Sequence, residues 1–461
     1  MTRQMNTMKN ETLIEIAQKY GTPSYVFDTK ALQERMQKIS EIVGEKVKLC
    51  YSIKANPFLI PAMLEAVPHL EVCSPGELAI CERLQVPMKA VVYSGVNKEP
   101  SDVLQAVRDG VGICTAESLR HVRLLQAAAK GAGKKVPVLL RLNSGAQFGM
   151  SKEDLLTVIR NRRRYPDLVL EGIHYFAGTQ RKNKDLHQQK EELRMLKELF
   201  CEIRETEGFS LRKLEYGPGL PVPLFEGADF SDTLAPVREL APALKEAAQW
   251  ADLTVEAGRF FATECGYYIT KVVDSKTVEE KKYCIVDGGI NHVNYLGQIM
   301  GMKQPVIRHF RGNGDPDADP ESVKYCVISD TEPELQCESS KTGGKAVASG
   351  TAVSAKERAG KPAAVQAESE EEKTDWAICG SLCTTNDDLV RSRRMEEPLP
   401  GDLLVFENIG AYSVTEGIYL FLSRKMPRIV LYNDISDIRL ARDFMDTSRM
   451  NTIQGKQNEM S

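Results

Sequence analysis

The chain has 461 residues, 42% of them apolar and 27% charged, with a formal net charge of −4 and an isoelectric point of about 6.0. That balance lacks the basic footprint of a nucleic-acid-binding protein, and no apolar run approaches the roughly 20 residues that cross a bilayer. Eleven cysteines without a repeating spacing suggest neither a disulfide framework nor a metal site, because Cys73 and Cys81 have no partners at metal-ligand spacing. The first ten residues lack the apolar core of a signal peptide. The expectation is a cytoplasmic protein with reduced thiols and no metal, nucleic-acid or membrane partner.

In chain order, residues 1–30 contain a short apolar stretch at 23–27, read as a segment that joins a later β domain. Residues 31–262 repeat one unit, a short apolar run followed by a polar or glycine turn and then a helix-length amphipathic segment. The runs lie at residues 47–53, 70–73, 90–93, 112–115, 137–142, 170–176, 213–216 and 253–256. Eight strand–helix units predict an α/β fold built on a (β/α)8 TIM-like barrel. A doubly wound sheet is disfavoured because no glycine-rich dinucleotide loop follows the first run. Residues 263–330 and 375–447 change texture, with β-branched and aromatic runs at 267–274, 283–286, 325–329, 376–379 and 402–407. This predicts a mostly β C-terminal domain. Residues 331–374 are Ala, Gly, Ser, Lys and Glu with almost no large apolar group, the composition of a disordered insertion.

The chemistry-bearing residues cluster at the predicted strand ends. Lys54 ends the first run in Tyr51-Ser-Ile-Lys-Ala-Asn-Pro57, where a turn begins. A lysine there is ordinarily a surface residue, but the carboxyl ends of barrel strands form the reactive rim. Ser74 and Glu77 follow the second run, Arg141 and Asn143 the fifth, and His174, Phe176 and Thr179 the sixth. The seventh opens into Gly217-Pro-Gly219, and the eighth carries Glu256 and Arg259. A lone histidine is more often a satisfied core residue, and glycines after a strand are usually a turn. Together the set describes a pyridoxal phosphate site. A lysine forms a Schiff base with the aldehyde, and a carboxylate keeps the pyridine nitrogen protonated. Gly217 and Gly219 open room for a phosphate, and a guanidinium binds it.

These segments, with Val72-Cys-Ser-Pro-Gly-Glu77, Gly172-Ile-His-Tyr-Phe-Ala-Gly-Thr-Gln180, Val255-Glu-Ala-Gly-Arg259, Gly380-Ser-Leu-Cys383 and Gly410-Ala-Tyr412, resemble the fold-type III pyridoxal phosphate decarboxylases. That group includes diaminopimelate, ornithine and arginine decarboxylases, and the resemblance is closest to the diaminopimelate enzymes. It covers nearly the whole chain outside 331–374. It implies pyridoxal 5'-phosphate as cofactor, Lys54 as the Schiff-base lysine and Glu256 as the partner of the ring nitrogen. Thr179, Gly217, Gly219, Arg259 and Tyr412 fall around the phosphate. Cys383 matches the cysteine that protonates the substrate carbon from the second subunit, which implies a homodimer with shared sites.

Three positions depart from the family pattern. Phe176 stands where a histidine usually stacks on the ring, Pro218 removes one N–H from the phosphate loop, and Thr384 replaces the acid that follows the cysteine. Thr384 and Asp387 are the expected substrate-reading residues. The expected function is α-decarboxylation of an amino acid, either diaminopimelate or a different, including carrier-linked, one. The alternatives are a racemase on the same fold and a non-catalytic regulatory homologue.

Overall fold

The computed structural model describes residues 8–181, 186–295, 301–315, 317–328 and 373–453. Most of the expected insertion, residues 331–372, lies outside them, and Thr374 opens a strand. In chain order the strands are β1 (Ser24–Asp28), β2 (Lys48–Ser52), β3 (His69–Val72), β4 (Val91–Tyr93), β5 (Ile113–Ala116), β6 (Val136–Arg141), β7 (Leu168–Phe176), β8 (Lys213–Gly217) and β9 (Asp252–Ala257). They are followed by β10 (Gly266–Val278), β11 (Lys281–Val286), β12 (Ile307–Arg311), β13 (Cys326–Ile328), β14 (Thr374–Cys379), β15 (Asp388–Met395), β16 (Leu403–Glu407), β17 (Arg428–Asp434) and β18 (Asp437–Arg442).

Strands β2 to β9 close into a parallel barrel in sequence order, β9 pairing back onto β2. Each expected apolar run overlaps one of these strands. Short runs such as Val-Val-Tyr in β4 are fully buried, as parallel strands covered by helices must be. The helices present one apolar face inward. In the helix Thr29–Val43, Leu32, Met36, Ile39 and Val43 are buried, and Asp28 caps its start by accepting from the Ala31 N–H at 2.8 Å. Gly172 lets β7 and β8 meet, since a Cβ there would lie 1.8 Å from the Lys213 carbonyl oxygen.

The second unit is a ten-stranded sheet in which β13-β12-β16-β10-β1-β17-β18 run side by side, while β11, β14 and β15 extend from β10. The N-terminal strand β1 sits inside it, antiparallel to β10 and parallel to β17. The molecule is thus an α/β barrel with a separate, mostly β domain.

Hydrogen bonds hold that domain against the barrel rim at Lys54, Thr415 Oγ1 donating to the Lys54 carbonyl at 3.1 Å. The Tyr412 N–H donates to the Ala55 carbonyl at 2.5 Å, and Asn56 Nδ2 donates to the Gly410 carbonyl at 2.9 Å.

Candidate active site

At the carboxyl ends of the barrel strands lies a cavity of about 450 Å³, lined by Lys54, Phe176, Thr179, Gly219, Glu256, Arg259 and Tyr412, with Glu71, Cys73 and Arg141 beside them. Nine residues singled out from sequence, Arg141 and His174 among them, therefore share one space. Lys54 sits on the tight turn Ile53–Ala55 that follows β2. Its Nζ is 2.8 Å from Glu71 Oε2 and donates to Cys73 Sγ at 3.4 Å. Burial alone would lower the pKa of the Lys54 ammonium. Glu71, Cys73 and Glu256 outweigh it and hold the pKa well above the usual lysine value.

Glu256 projects from β9 into the cavity floor. Its Oε2 is 2.8 Å from His174 Nε2 and its Oε1 accepts from Ser52 Oγ at 2.9 Å. Burial opposes the charge, but the His174 contact, the Lys54 ammonium and the Ser52 hydroxyl hold the Glu256 pKa below the usual carboxylate range. Beside it the buried Glu215 of β8 is pushed well above that range, by burial first and then by the charges of Glu256 and Glu71. Ligand atoms of His174, Glu215 and Glu256 lie within 4.8 Å of one another. His174 and Glu256 of that cluster line this same cavity.

Arg259 opens the short helix Arg259–Ala262. Its Nη1 donates to the Tyr295 carbonyl at 3.0 Å, its guanidinium lies 4.4 Å from the Tyr412 ring centre, and its buried Nε has no protein partner. His174 Nδ1 is a second buried nitrogen without one. Gly219 has φ +62°, and a Cβ there would lie 1.9 Å from the Gly178 carbonyl oxygen. At Gly258 a Cβ would meet Ala55 Cβ at 2.8 Å. Gly217 plays a different part from the one expected. It does not line the cavity, and its missing side chain makes room for the Phe176 ring, whose Cδ2 would be 2.3 Å from a Cβ.

An amine, an ionised carboxylate at the floor, a guanidinium with an unpartnered Nε and a glycine-lined rim fit pyridoxal phosphate. Lys54 would hold its aldehyde carbon and Glu256 its ring nitrogen. Gly219, Thr179, Arg259 and Tyr412 would surround the phosphate.

The acid loop of residues 380–387 is not brought into this cavity. Cys383 is exposed and Thr384 half-buried. Asp387, expected to read the substrate, is buried and accepts from backbone N–H groups of two different segments. It accepts from the Ile290 N–H and the Leu382 N–H, both at 2.7 Å, and so fixes the shape of the loop. Ser74 likewise is a helix cap, accepting from the Glu77 N–H at 3.1 Å. Glu71 and Glu215 were not singled out from sequence. Their signal was a lone acid inside a short apolar strand, on the face that alternation turns toward the barrel interior.

Residues 29–263 match the model of the pyridoxal-binding domain of pyridoxal-dependent decarboxylases, and residues 345–410 match the C-terminal sheet domain of the same enzymes. The chain belongs to the pyridoxal-dependent decarboxylase family. Its cofactor is pyridoxal 5'-phosphate. It is 27% identical to a diaminopimelate decarboxylase from Aquifex aeolicus over 61% of the chain and 69% of that protein. An L-glutamyl-(acyl-carrier protein) decarboxylase from Niallia circulans is 24% identical over 90% of each chain. The diaminopimelate decarboxylase of M. jannaschii, solved with L-lysine, has the same fold at 21% identity, with a TM-score of 0.73 over 95% of this chain and 92% of that one. Among the described residues, no helix is long and apolar enough to cross a membrane.

Proposed function

We propose that this chain removes the α-carboxylate of an amino acid whose far end carries no free ammonium group, a carrier-linked amino acid included. The observation that carries the reading is the convergence of Lys54 Nζ, ionised Glu256 and Arg259 on one cavity. When bound there, the cofactor supplies an electron sink for the pair that carbon dioxide leaves behind. The protein's residues do the rest. Glu256, held ionised, keeps a proton on the ring nitrogen. Glu71 and Cys73 steady Lys54 Nζ. Arg259 and the Gly219 turn anchor an anion at the rim. Phe176 offers an apolar face where relatives place a histidine, so it packs without donating a hydrogen bond.

The substrate part of the reading rests on Thr384, a neutral residue where relatives place an acid, and on the resemblance to the carrier-protein decarboxylase. Thr384 and Cys383 lie outside this chain's cavity, so their part in the reading requires a second copy to bring the 380–387 loop to the mouth. A homodimer is therefore part of the proposal. It is supported by the exposed apolar run Ile418, Leu420, Phe421 and Leu422, which is tied to that loop by Arg424 Nη2 donating to the Ser381 carbonyl at 2.8 Å. A cytoplasmic location completes the reading, because a thiol in contact with the reactive lysine suits a reducing compartment.

The test is carbon dioxide release from a panel of free and carrier-linked amino acids, with Lys54→Ala as control. Release from at least one panel member by the parent protein, and none by Lys54→Ala, is the expected result. Racemisation without carbon dioxide would favour the racemase alternative instead.

A further inference from the structure

Lys98 is a buried basic side chain that the chemistry described above does not use. It is 0% exposed, and its Nζ donates to the Ser94 carbonyl at 2.6 Å and to the Gly95 carbonyl at 2.7 Å. The same Nζ lies 5.1 Å from the centre of the Tyr93 ring. Arg120 fixes the backbone of Lys98, its Nη1 donating to the Lys98 carbonyl at 2.9 Å. Ser94 and Gly95 open the turn that follows β4, and Gly95 and Val96 line the cavity that holds Lys54.

That turn bears on the reactive lysine through its neighbours. The Ser94 N–H donates to the Val72 carbonyl at 2.8 Å, and Ser94 Oγ lies 3.1 Å from Thr115 Oγ1. Gly95, φ +92°, packs so closely on Cys73 that a Cβ would lie 2.1 Å from the Cys73 carbonyl oxygen. Cys73 and Glu71 both contact Lys54 Nζ, and the Cys73 thiol donates to Glu71 Oε1 at 3.1 Å. We propose that Lys98 is a positioning residue: by gripping both carbonyls it clamps the turn at residues 94–96 onto Cys73 and so sets where Lys54 Nζ sits. The effect on turnover rests on the decarboxylase reading; the clamp itself does not.

An ammonium suits this task, because hydrogen bonds donated by a charged group are stronger than those of a neutral one. It is not what stability alone would select. Burial lowers the Lys98 pKa to about 8, with Cys114, Glu117, Cys73 and Glu71 opposing. That value lies below the usual lysine pKa, so at pH 7 Lys98 is charged and its burial subtracts from stability. An apolar side chain would fill the space without desolvating a charge. Groups held at such a cost concentrate where function needs them, and here the beneficiary is the wall beside Lys54.

The experiment compares Lys98→Met and Arg120→Gln with the parent holoenzyme. Three properties are followed: kcat and KM on the best panel substrate, amide hydrogen exchange along the barrel, and Tm. Misplacing a reacting group by a small distance can slow a reaction about 10²-fold. Lys98→Met should lower kcat about tenfold or more while KM changes less than about threefold. It should speed exchange at residues 94–96 about tenfold, leave exchange unchanged in β8 across the barrel, and keep Tm close to that of the parent. Arg120→Gln alters an exposed side chain. It should move kcat and exchange in the same direction by a smaller factor, and it serves as the measure should Lys98→Met fail to fold. Unchanged exchange at residues 94–96 in both variants would overturn the proposal. So would a loss of kcat accompanied by a lowered Tm and faster exchange throughout the barrel, because Lys98 would then act only on the fold. Absence of carbon dioxide from the parent protein across the whole panel would overturn the decarboxylase reading, and the exchange comparison would still decide the clamp.

Discussion

At the scale of single residues, the site depends on which charges survive burial. Glu256 is ionised because His174, Lys54 and Ser52 outweigh its desolvation, whereas Glu215 beside it is driven toward the protonated form. Placing two acids together and separating their pKa values is how one site obtains both a carboxylate and a carboxylic acid. A carboxylate whose folded pKa lies below its unfolded value, about 4.3 for glutamate, contributes stability above that pH. The contribution is lost as the pH falls toward the folded value. Breaking a buried pair costs roughly 3 kcal/mol or more, so Glu256→Gln should be less stable than the parent at pH 7 by about that amount. The gap should narrow near pH 3, as read from denaturant midpoints at the two pH values. Specificity gives a second residue-scale prediction. A buried substrate ammonium facing Thr384 would lack its partner. The parent should therefore turn over meso-diaminopimelate poorly, and Thr384→Glu should raise kcat/KM for it at least tenfold relative to the best panel substrate. Efficient diaminopimelate turnover by the parent would show that another residue reads the far end of the substrate.

At the scale of elements, strand ends and the turns after them set the geometry. Lys54 reaches the cavity because β2 ends at Ser52 and a single tight turn follows. Arg259 reaches it because β9 ends at Ala257 and Gly258 accepts the close approach of Ala55. The Gly219 turn is the least tolerant of these connections. Its positive φ costs a side-chain-bearing residue roughly 1 kcal/mol, and a Cβ would collide with the Gly178 carbonyl. Gly219→Ala should lower cofactor affinity at least tenfold, measured by titrating visible absorbance, and should lower Tm as well. Gly217→Ala should act differently, by displacing the Phe176 ring, with a smaller effect on phosphate binding. The eight barrel strands were legible because each is a short apolar run between polar segments. Strands β12, β15, β17 and β18 were not. β15, for example, carries Arg391, Arg393 and Arg394, and it is a strand because it pairs with β14 rather than because of its own composition.

At the scale of the whole molecule, the β domain completes the cavity that the barrel begins. Tyr412 belongs to the β domain yet lies against Arg259 and donates its N–H to Ala55, so neither unit forms the site alone. Phe421 and Leu422, 43% and 48% exposed, belong to the patch where a second copy is proposed to sit. A charge in such a patch opposes association because it must be desolvated without a partner. Phe421→Glu should shift the protein from dimer to monomer in sedimentation velocity while leaving its circular dichroism spectrum unchanged. A parent protein that is monomeric at all concentrations would remove the homodimer from the reading.

The sequence by itself determined the alternation of strands and helices, the lysine after the first barrel strand, and several of the groups that line the rim cavity. These are local properties, expressed in runs of a few residues and in short motifs. Tertiary structure alone decided which charged groups share a space. Glu71 meets Lys54 across 17 positions of sequence, Glu256 meets His174 across 82, and Tyr412 reaches the barrel across more than 350. It also turned Asp387 from an expected substrate contact into the tie that shapes its own loop, and Gly217 from a phosphate contact into space for Phe176. A carboxylate or a glycine has the same local signature in either role. What separates the roles is the neighbour that closure of the barrel and packing of the β domain bring within hydrogen-bond distance.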